Sequence, residues 1–194
     1  ENTNWRFHLI WMLAQCGDAY HFYTLNGMQE RFPNIRTCFA HGGQLAQMNL
    51  GRRIQGFDGR PDLFEGKYHP RKAVGHPNIF FDTLVHDTDS LSLMFKRQGT
   101  KQVLMGLDDP YPLGEMESDA QSSYPGKILD LAIEKNIISE TEKVSLFSIL
   151  ISTNLFNFGL YFEYSFSSIC IMCFSFKDCI ILNTFFLFKI SEIS

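Results

Sequence analysis

Two hydrophobic patterns alternate along the first 143 residues of this 194-residue chain. Mostly apolar runs of strand length occur within residues 35–41, 78–86 and 102–110. Around and between these runs, apolar residues recur three or four positions apart, a spacing that predicts amphipathic helices. The first helix covers most of residues 5–30 and ends before a Pro-Asn pair. The predicted order is therefore helix, strand, helix, strand, helix, strand, helix.

Two of the predicted helices have specific signals at their ends. In one, Leu91, Met94 and Phe95 share a face, and Gly99 follows the last turn. The other begins with Ser-Glu-Thr-Glu at residues 139–142. This is a capping box, in which the first and fourth residues satisfy each other's backbone N–H groups.

The strands and their ends indicate both a fold class and a place for chemistry. Strands that are continuously apolar and separated by helices are typical of a parallel sheet buried on both faces, so the fold class is α/β. Each predicted strand carries a polar, chemically capable residue at its end: His41, Asp82 and Asp108. Ligands bind at the carboxyl ends of the strands in such folds, so we expect His41 and Asp108 to converge there.

Each of these residues also has an ordinary structural interpretation. A histidine at a strand end can be satisfied by backbone groups, and Asp82 can fix a loop. Asp109 can cap the turn that Pro110 enforces. Arg52 and Arg53 can cover the surface of a helix.

The composition of the chain changes after Lys143. All seven prolines lie at or before Pro125, whereas 10 of the 19 phenylalanines lie after Lys143. Residues 144–162 are uncharged, but Ser, Asn and Gly interrupt them and no basic cluster flanks them, which argues against a membrane span. Cys170 and Cys173 have the spacing of half a zinc knuckle without a second pair. We favour the hypothesis that this tail resembles translated AT-rich non-coding sequence.

Charge and cysteine content narrow the class of protein. The net charge is −4 and no basic stripe is present, so nucleic acid is not an expected partner. The five cysteines are an odd number, and no secretory signal opens the chain. A cytoplasmic protein with reduced cysteines is the prediction.

Two motifs resemble the metal-dependent decarboxylase branch of the amidohydrolase superfamily. The first is "CFAHGGQLAQMNLGRRIQGFDGRPDL", in which Arg52 follows His41 by eleven positions and Arg60 follows Arg52 by eight, as in that family. The second is "GLDDPYPLGE" at residues 106–115, which is similar to the family's Gly-Ser/Thr-Asp-Tyr-Pro-Phe-Pro-Leu-Gly-Glu. The resemblance covers about residues 20–143.

This resemblance implies a fold and a domain division. The fold would be the C-terminal part of a (β/α)8 TIM-type barrel, incomplete, with three or four of its eight strands. Residues 1–143 would form this partial barrel. Residues 144–194 would be an atypical Phe/Ile/Ser-rich tail with no assigned domain.

The resemblance also implies roles for individual residues. Asp108 would be a metal ligand with a second catalytic role in proton transfer, and His41 would orient and activate a metal-bound water. Arg52 and Arg60 would bind substrate carboxylates, for which a guanidinium group is suited. One such arginine reaches across a dimer interface in the family, so a homodimer is an expected assembly. The metal would be divalent, most simply Zn²⁺.

The sequence departs from the family pattern at several positions. Gln44 replaces the third glycine, Leu107 replaces Ser or Thr, and Asp109 replaces a tyrosine. The family's His-x-His pair and a further histidine ligand are expected upstream of Glu1. His8 and His21 lack the flanking residues of such ligands.

The function predicted from these residues is that of a metal-dependent decarboxylase, a carboxy-lyase, acting on a small carboxylated substrate. One alternative is a hydrolase of the same superfamily, because the same metal-bound water can attack a carbonyl group. The other is an inactive, non-enzymatic fragment that lacks the N-terminal metal ligands.

Overall fold

The computed structural model describes residues 4–108, 111–115, 119, 122–152 and 179–182. Its sheet has four strands in the order β3-β2-β1-β4, and every neighbouring pair is parallel. The strands are β1 (Arg36–Phe39), β2 (Ile79–Asp82), β3 (Val103–Leu104) and β4 (Cys179–Leu182). The predicted α/β class with a parallel sheet is therefore confirmed.

The strands are shorter than the apolar runs that predict them. Phe39 of β1 lies opposite Phe81 of β2, and Phe81 lies opposite Val103 of β3. The fourth strand, β4, comes from the tail and pairs with the other edge of β1. The sequence pattern does not predict this strand, because the tail shows no sustained period. Whether residues 144–194 form a domain stays a prediction, and most of them lie outside the described residues.

The helices alternate with the strands as expected. A π-helical turn, Phe7–Trp11, leads into the first α-helix. The α-helices are α1 (Met12–Leu25), α2 (Met28–Arg31), α3 (Gln44–Met48), α4 (Leu50–Gly59), α5 (Thr88–Gln98), α6 (Lys127–Glu134) and α7 (Glu140–Ser152). Short 3₁₀ turns span His41–Gly43, Pro61–Leu63, Pro70–Ala73 and Thr100–Gln102. The helix predicted over residues 5–30 is thus divided, and Gly27 at the break has a left-handed backbone.

The sheet is covered on both faces, since consecutive residues of β1, β2 and β3 are buried. Aromatic rings connect α1 to the sheet: the ring centroid of Tyr20 is 5.1 Å from that of Phe39 and 5.5 Å from that of Phe81. Leu91 of α5 and Leu129 of α6 belong to the same buried cluster. The apolar runs therefore place the strand ends at a single edge of a packed core.

Two helix starts are fixed by side chains. Ser139 and Glu142 form the predicted capping box: the Ser139 N–H donates to Glu142 Oε2 at 2.8 Å, and the Glu142 N–H donates to Ser139 Oγ at 3.2 Å. Asp87, which the sequence reading overlooked, caps α5 by accepting from the N–H groups of Asp89 and Ser90.

Within the part of the chain that the structure describes, no helix has the length and apolarity needed to cross a membrane. α7 covers the start of the uncharged stretch at 144–162 and ends at Ser152. The rest of that stretch lies outside the described residues.

Candidate functional site

The chain leaves β1 through a left-handed turn. The φ angles of His41, Gly42 and Gly43 are 55°, 61° and 54°. Glycine adopts this region freely, whereas an L-residue such as histidine does so at a cost. A Cβ atom on Gly42 would lie 2.2 Å from Val85 Cγ1, so the position also lacks room for a side chain. The turn therefore requires glycine at position 42, whereas His41 adopts its left-handed backbone at a cost.

The carboxylate of Asp82 holds the turn. It accepts hydrogen bonds from the N–H groups of His41 at 3.0 Å, Gly42 at 2.9 Å and Leu84 at 3.1 Å. Successive N–H groups in a left-handed turn form a concave anion site, and Asp82 occupies it. Burial raises the pKa of Asp82 to about 6, while the three backbone N–H groups act in the opposite direction. These contacts support the interpretation of Asp82 as a loop-fixing residue.

His41, the first residue of this turn, has a ring nitrogen without a hydrogen-bond partner among the described residues. The residue is only 7% exposed, and among the described residues its buried Nε2 has no hydrogen-bond partner. Burial lowers the pKa of His41, and the nearby carboxylate of Asp108 opposes this shift. The imidazole and the carboxylate are therefore close enough for their charges to interact.

Asp108 follows β3 and is half-buried, with a left-handed backbone of φ 56°. Burial raises its pKa; the imidazole of His41 lowers it, and Asp82 raises it further. The pKa of the carboxyl group is thus raised while that of the imidazole is lowered. Converging pKa values make proton exchange between two groups easier, which is how acid and base residues are tuned.

His86 completes the group and was missed by the sequence reading. It is the last residue of the second apolar run, a signal that could have found it. Its backbone is also left-handed, with φ 66°, and its Nε2 lies 2.8 Å from the carbonyl oxygen of Leu113. Its charge acts on His41, Asp82 and Asp108. We call His41, Asp82, His86 and Asp108 the strand-end cluster.

Backbone strain is concentrated in the strand-end cluster. Three of its four members are non-glycine residues with positive φ. Such conformations persist only where the surroundings enforce them, and they are common at functional sites. The cluster is therefore the strongest candidate for a functional site in the described chain.

The glutamate that ends the second motif has a structural role. The carboxylate of Glu115 accepts from the N–H groups of Gly126 and Ile128, both at 3.0 Å, at the start of α6. Its own N–H donates to the carbonyl oxygen of Leu107 at 2.8 Å. Glu115 thereby closes the loop that begins at Asp108 and attaches it to α6.

The predicted substrate arginines lie apart from the strand-end cluster. Arg52 is exposed on α4. Arg60 follows the end of α4 and donates from Nε and Nη2 to the carboxylate of Asp62 at 2.8 Å and 2.7 Å. No interaction joins either arginine to His41 or Asp108 within the described residues, and their role in substrate binding stays a prediction.

Arg53, in contrast, corrects the interpretation that both adjacent arginines cover a helix surface. It is 8% exposed and donates to His21 Nδ1 at 3.1 Å and to Thr24 Oγ1 at 3.0 Å. Its guanidinium group also lies 4.8 Å from the centre of the Tyr20 ring. Arg53 therefore attaches α4 to α1. The surface interpretation is wrong for this residue, because it faces the neighbouring helix.

Comparison with known proteins was made by family model and by sequence. No family model matches the chain. The 2-amino-3-carboxymuconate-6-semialdehyde decarboxylase of Dictyostelium discoideum is 35% identical over 144 residues, which are 73% of this chain and 37% of that protein. The protein of the same name from Caenorhabditis elegans is 35% identical over 115 residues, covering 58% of this chain and 28% of its own length. The resemblance to amidohydrolase-superfamily decarboxylases is confirmed.

This chain spans about a third of the length of the decarboxylases that it matches, 37% and 28%. Among solved structures, the crystal structure of 5-carboxyvanillate decarboxylase from Sphingomonas paucimobilis matches with a TM-score of 0.43 and 18% identity. That match covers 65% of this chain and 37% of the solved one.

Decarboxylases of this superfamily are metal-dependent, so the donor atoms of the strand-end cluster must be compared with a metal's needs. Within the described ranges, no three His, Cys, Asp or Glu side chains are placed to hold an ion. His41 Nε2 and the Asp108 carboxylate are the cluster's available donors, because Asp82 is occupied by backbone N–H groups and His86 Nε2 contacts the carbonyl oxygen of Leu113. A catalytic zinc has about three protein ligands. The described residues alone therefore do not fit a tightly bound zinc.

Proposed function

We propose that this chain carries the acid–base part of a metal-dependent decarboxylase acting on a small carboxylated substrate. The observation that carries the proposal is the pairing of His41 with Asp108 at the carboxyl ends of β1 and β3. Their charges interact, and their pKa values are shifted towards each other. The similarity to named decarboxylases over most of the chain supports the reaction class.

Loss of CO₂ leaves an electron pair on carbon, and a proton must then reach that carbon. Asp108 is suited to hold this proton, because burial raises the pKa of its carboxyl group. Burial lowers the pKa of His41 and so favours its neutral imidazole, and its buried Nε2 has no partner among the described residues. A proton held at Asp108 Oδ and a neutral imidazole at His41 would be the two functions that the chain itself provides.

The substrate would be a small molecule with more than one carboxylate. Arg52 is exposed, and in the proposed homodimer it would reach a substrate in the second copy of the chain. Arg60 would have to exchange Asp62 for a substrate carboxylate. The names of the matched relatives point to a carboxymuconate semialdehyde as the first compound to assay.

The parallel sheet would belong to a (β/α)8 barrel, and Asp108, once it has given up its proton, would be one ligand of a divalent ion, Zn²⁺ in the simplest case. The ion would supply charge stabilisation to the substrate. Its remaining ligands would come from outside the described residues. A second candidate is a chain without activity of its own. The observation that supports it is the small number of metal-ligating atoms in the strand-end cluster.

Zinc titration and a CO₂-release assay distinguish these candidates. The proposal predicts substrate-dependent CO₂ release, with zinc added, that falls at least about 100-fold in Asp108→Asn. Asp87→Asn is the matched control, because the same substitution there changes the cap of α5 and lies outside the strand-end cluster. Tight zinc binding without CO₂ release would favour the hydrolase alternative. Absence of both zinc binding and turnover would favour the inactive chain.

A further inference from the structure

Two glutamine side chains are buried beside the strand-end cluster. Gln47 on α3 is 2% exposed and Gln98 at the end of α5 is 5% exposed. Burying an amide is unfavourable unless it is hydrogen-bonded. Both amides here have partners, and those partners lead towards His41.

The two amides form a chain of hydrogen bonds that runs in one direction. The N–H of Gly75 donates to Gln98 Oε1 at 3.0 Å, and Gln98 Nε2 donates to Gln47 Oε1 at 2.8 Å. Gln47 Nε2 then donates to the carbonyl oxygen of Gly42 at 3.2 Å. Hydrogen bonds aligned in this way polarise one another. The chain ends at the residue directly after His41.

Asp82 holds the same turn by accepting hydrogen bonds from the N–H groups of the turn. The N–H groups of His41 and Gly42 both donate to its carboxylate, at 3.0 Å and 2.9 Å. These N–H groups belong to the peptide units on either side of the His41 Cα atom, so their directions set the φ and ψ angles of His41. The Gly42 carbonyl oxygen, bound by Gln47, fixes the next peptide unit.

Asp82 is itself held tightly in place. A Cβ atom on Gly106 would lie 2.5 Å from Asp82 Cβ, so the chain after β3 packs directly against this side chain. Thr83 Oγ1 accepts from the N–H of Gly106 at 3.2 Å and keeps the two segments together. The carboxylate therefore has little freedom to move away from the turn.

We propose that Asp82 is a positioning residue for His41, and that Gln47 and Gln98 complete the support from the carbonyl side of the turn. Together they hold the imidazole buried, where Nε2 has no hydrogen-bond partner among the described residues. The inference rests on the proposed function, because that proposal assigns proton transfer to His41. The placement itself can be tested without turnover.

The test is the rate at which diethyl pyrocarbonate modifies His41, measured by mass spectrometry on the full chain. In Asp82→Asn an amide N–H₂ replaces one acceptor oxygen, so the turn should open and modification of His41 should rise at least about tenfold. Asp87→Ala is the control, because it removes a helix cap without touching the turn. Exposed His8 is the internal reference and should not change.

An unchanged rate at His41 in a folded Asp82→Asn protein would overturn the proposal, and so would an equal rise in Asp87→Ala. Gln98→Met is the second variant if Asp82→Asn does not fold, since methionine keeps the length and apolar volume of the side chain. It breaks the hydrogen-bond chain at its centre, and a smaller but selective rise at His41 is expected. No selective rise there would equally contradict the proposal. A protein without CO₂ release would still give these outcomes, so failure of the proposed function is distinguishable.

Discussion

His41 of the strand-end cluster and the arginines Arg52 and Arg60 come from the same sequence motif but have very different surroundings. His41 is buried in a left-handed turn bound by Asp82. Arg52 and Arg60 are exposed, and Arg60 is paired with Asp62. The strand-end cluster is therefore organised within one chain, whereas Arg52 and Arg60 need a substrate or a second copy of the chain to gain a role. Motif spacing alone cannot distinguish these two situations.

The largest difference between the two regions is expected in turnover. His41→Gln should reduce CO₂ release by about 10²- to 10⁴-fold, the usual contribution of a positioned acid or base. His21→Gln is the matched control, because His21 lies on α1 and contacts Arg53. Circular dichroism should show that both variants fold. Near wild-type turnover in His41→Gln would remove this residue from the mechanism.

The next largest effect is on stability. Gly42→Ala should lower the free energy of unfolding by about 2–4 kcal/mol, from the left-handed backbone and the clash with Val85. Gly51→Ala on α4 meets nothing within 4 Å and should instead gain up to about 1 kcal/mol in helix propensity. Urea unfolding of the two variants makes the comparison, and equal effects would contradict the account of the turn.

The sequence predicts the sheet well because β1, β2 and β3 lie within mostly apolar runs bounded by helices. It fails for β4, since the tail around Cys179–Leu182 has no helical or alternating period. It also fails to separate Arg52 from Arg53, although adjacent residues of a helix point about 100° apart. Arg53 lies three positions after buried Leu50 and so shares its inner face. That spacing was the available signal.

A change in pH should alter the stability contributions of the two aspartates near β2 in opposite directions. Because the pKa of Asp82 is raised to about 6 in the fold, its contribution to stability is fully present below its ordinary pKa and is lost as the pH rises from about 4 to about 6. For Asp87, burial raises the pKa, but hydrogen bonds from Ser90 and Asp89 outweigh it, so the pKa is lowered. Its contribution is lost as the pH falls.

Urea unfolding between pH 3 and 7 checks these signs. Relative to wild type, Asp82→Asn should gain stability as the pH rises, and Asp87→Asn should gain it as the pH falls. The same trend in both variants would mean that the environment of one carboxylate is wrongly assigned.

The smallest structural effects are expected from substitutions of Arg52 and Arg60. Arg52→Ala and Arg60→Ala should leave the melting temperature nearly unchanged, because both side chains are exposed. If Arg52 binds a substrate carboxylate, its variant should raise KM about tenfold or more while the fold is unaffected. An unchanged KM in both variants would remove the arginines from substrate recognition.

The most direct test of the central claim, that His41 and Asp108 share one edge of the sheet, is the pKa of His41 measured by NMR titration. In Asp108→Asn the carboxylate that raises the His41 pKa is absent, and asparagine tolerates the left-handed backbone, so the pKa of His41 should fall below its wild-type value. Asp89→Asn, on the exposed side of α5, should leave it unchanged. A His41 pKa that is the same in Asp108→Asn and wild type would contradict the account.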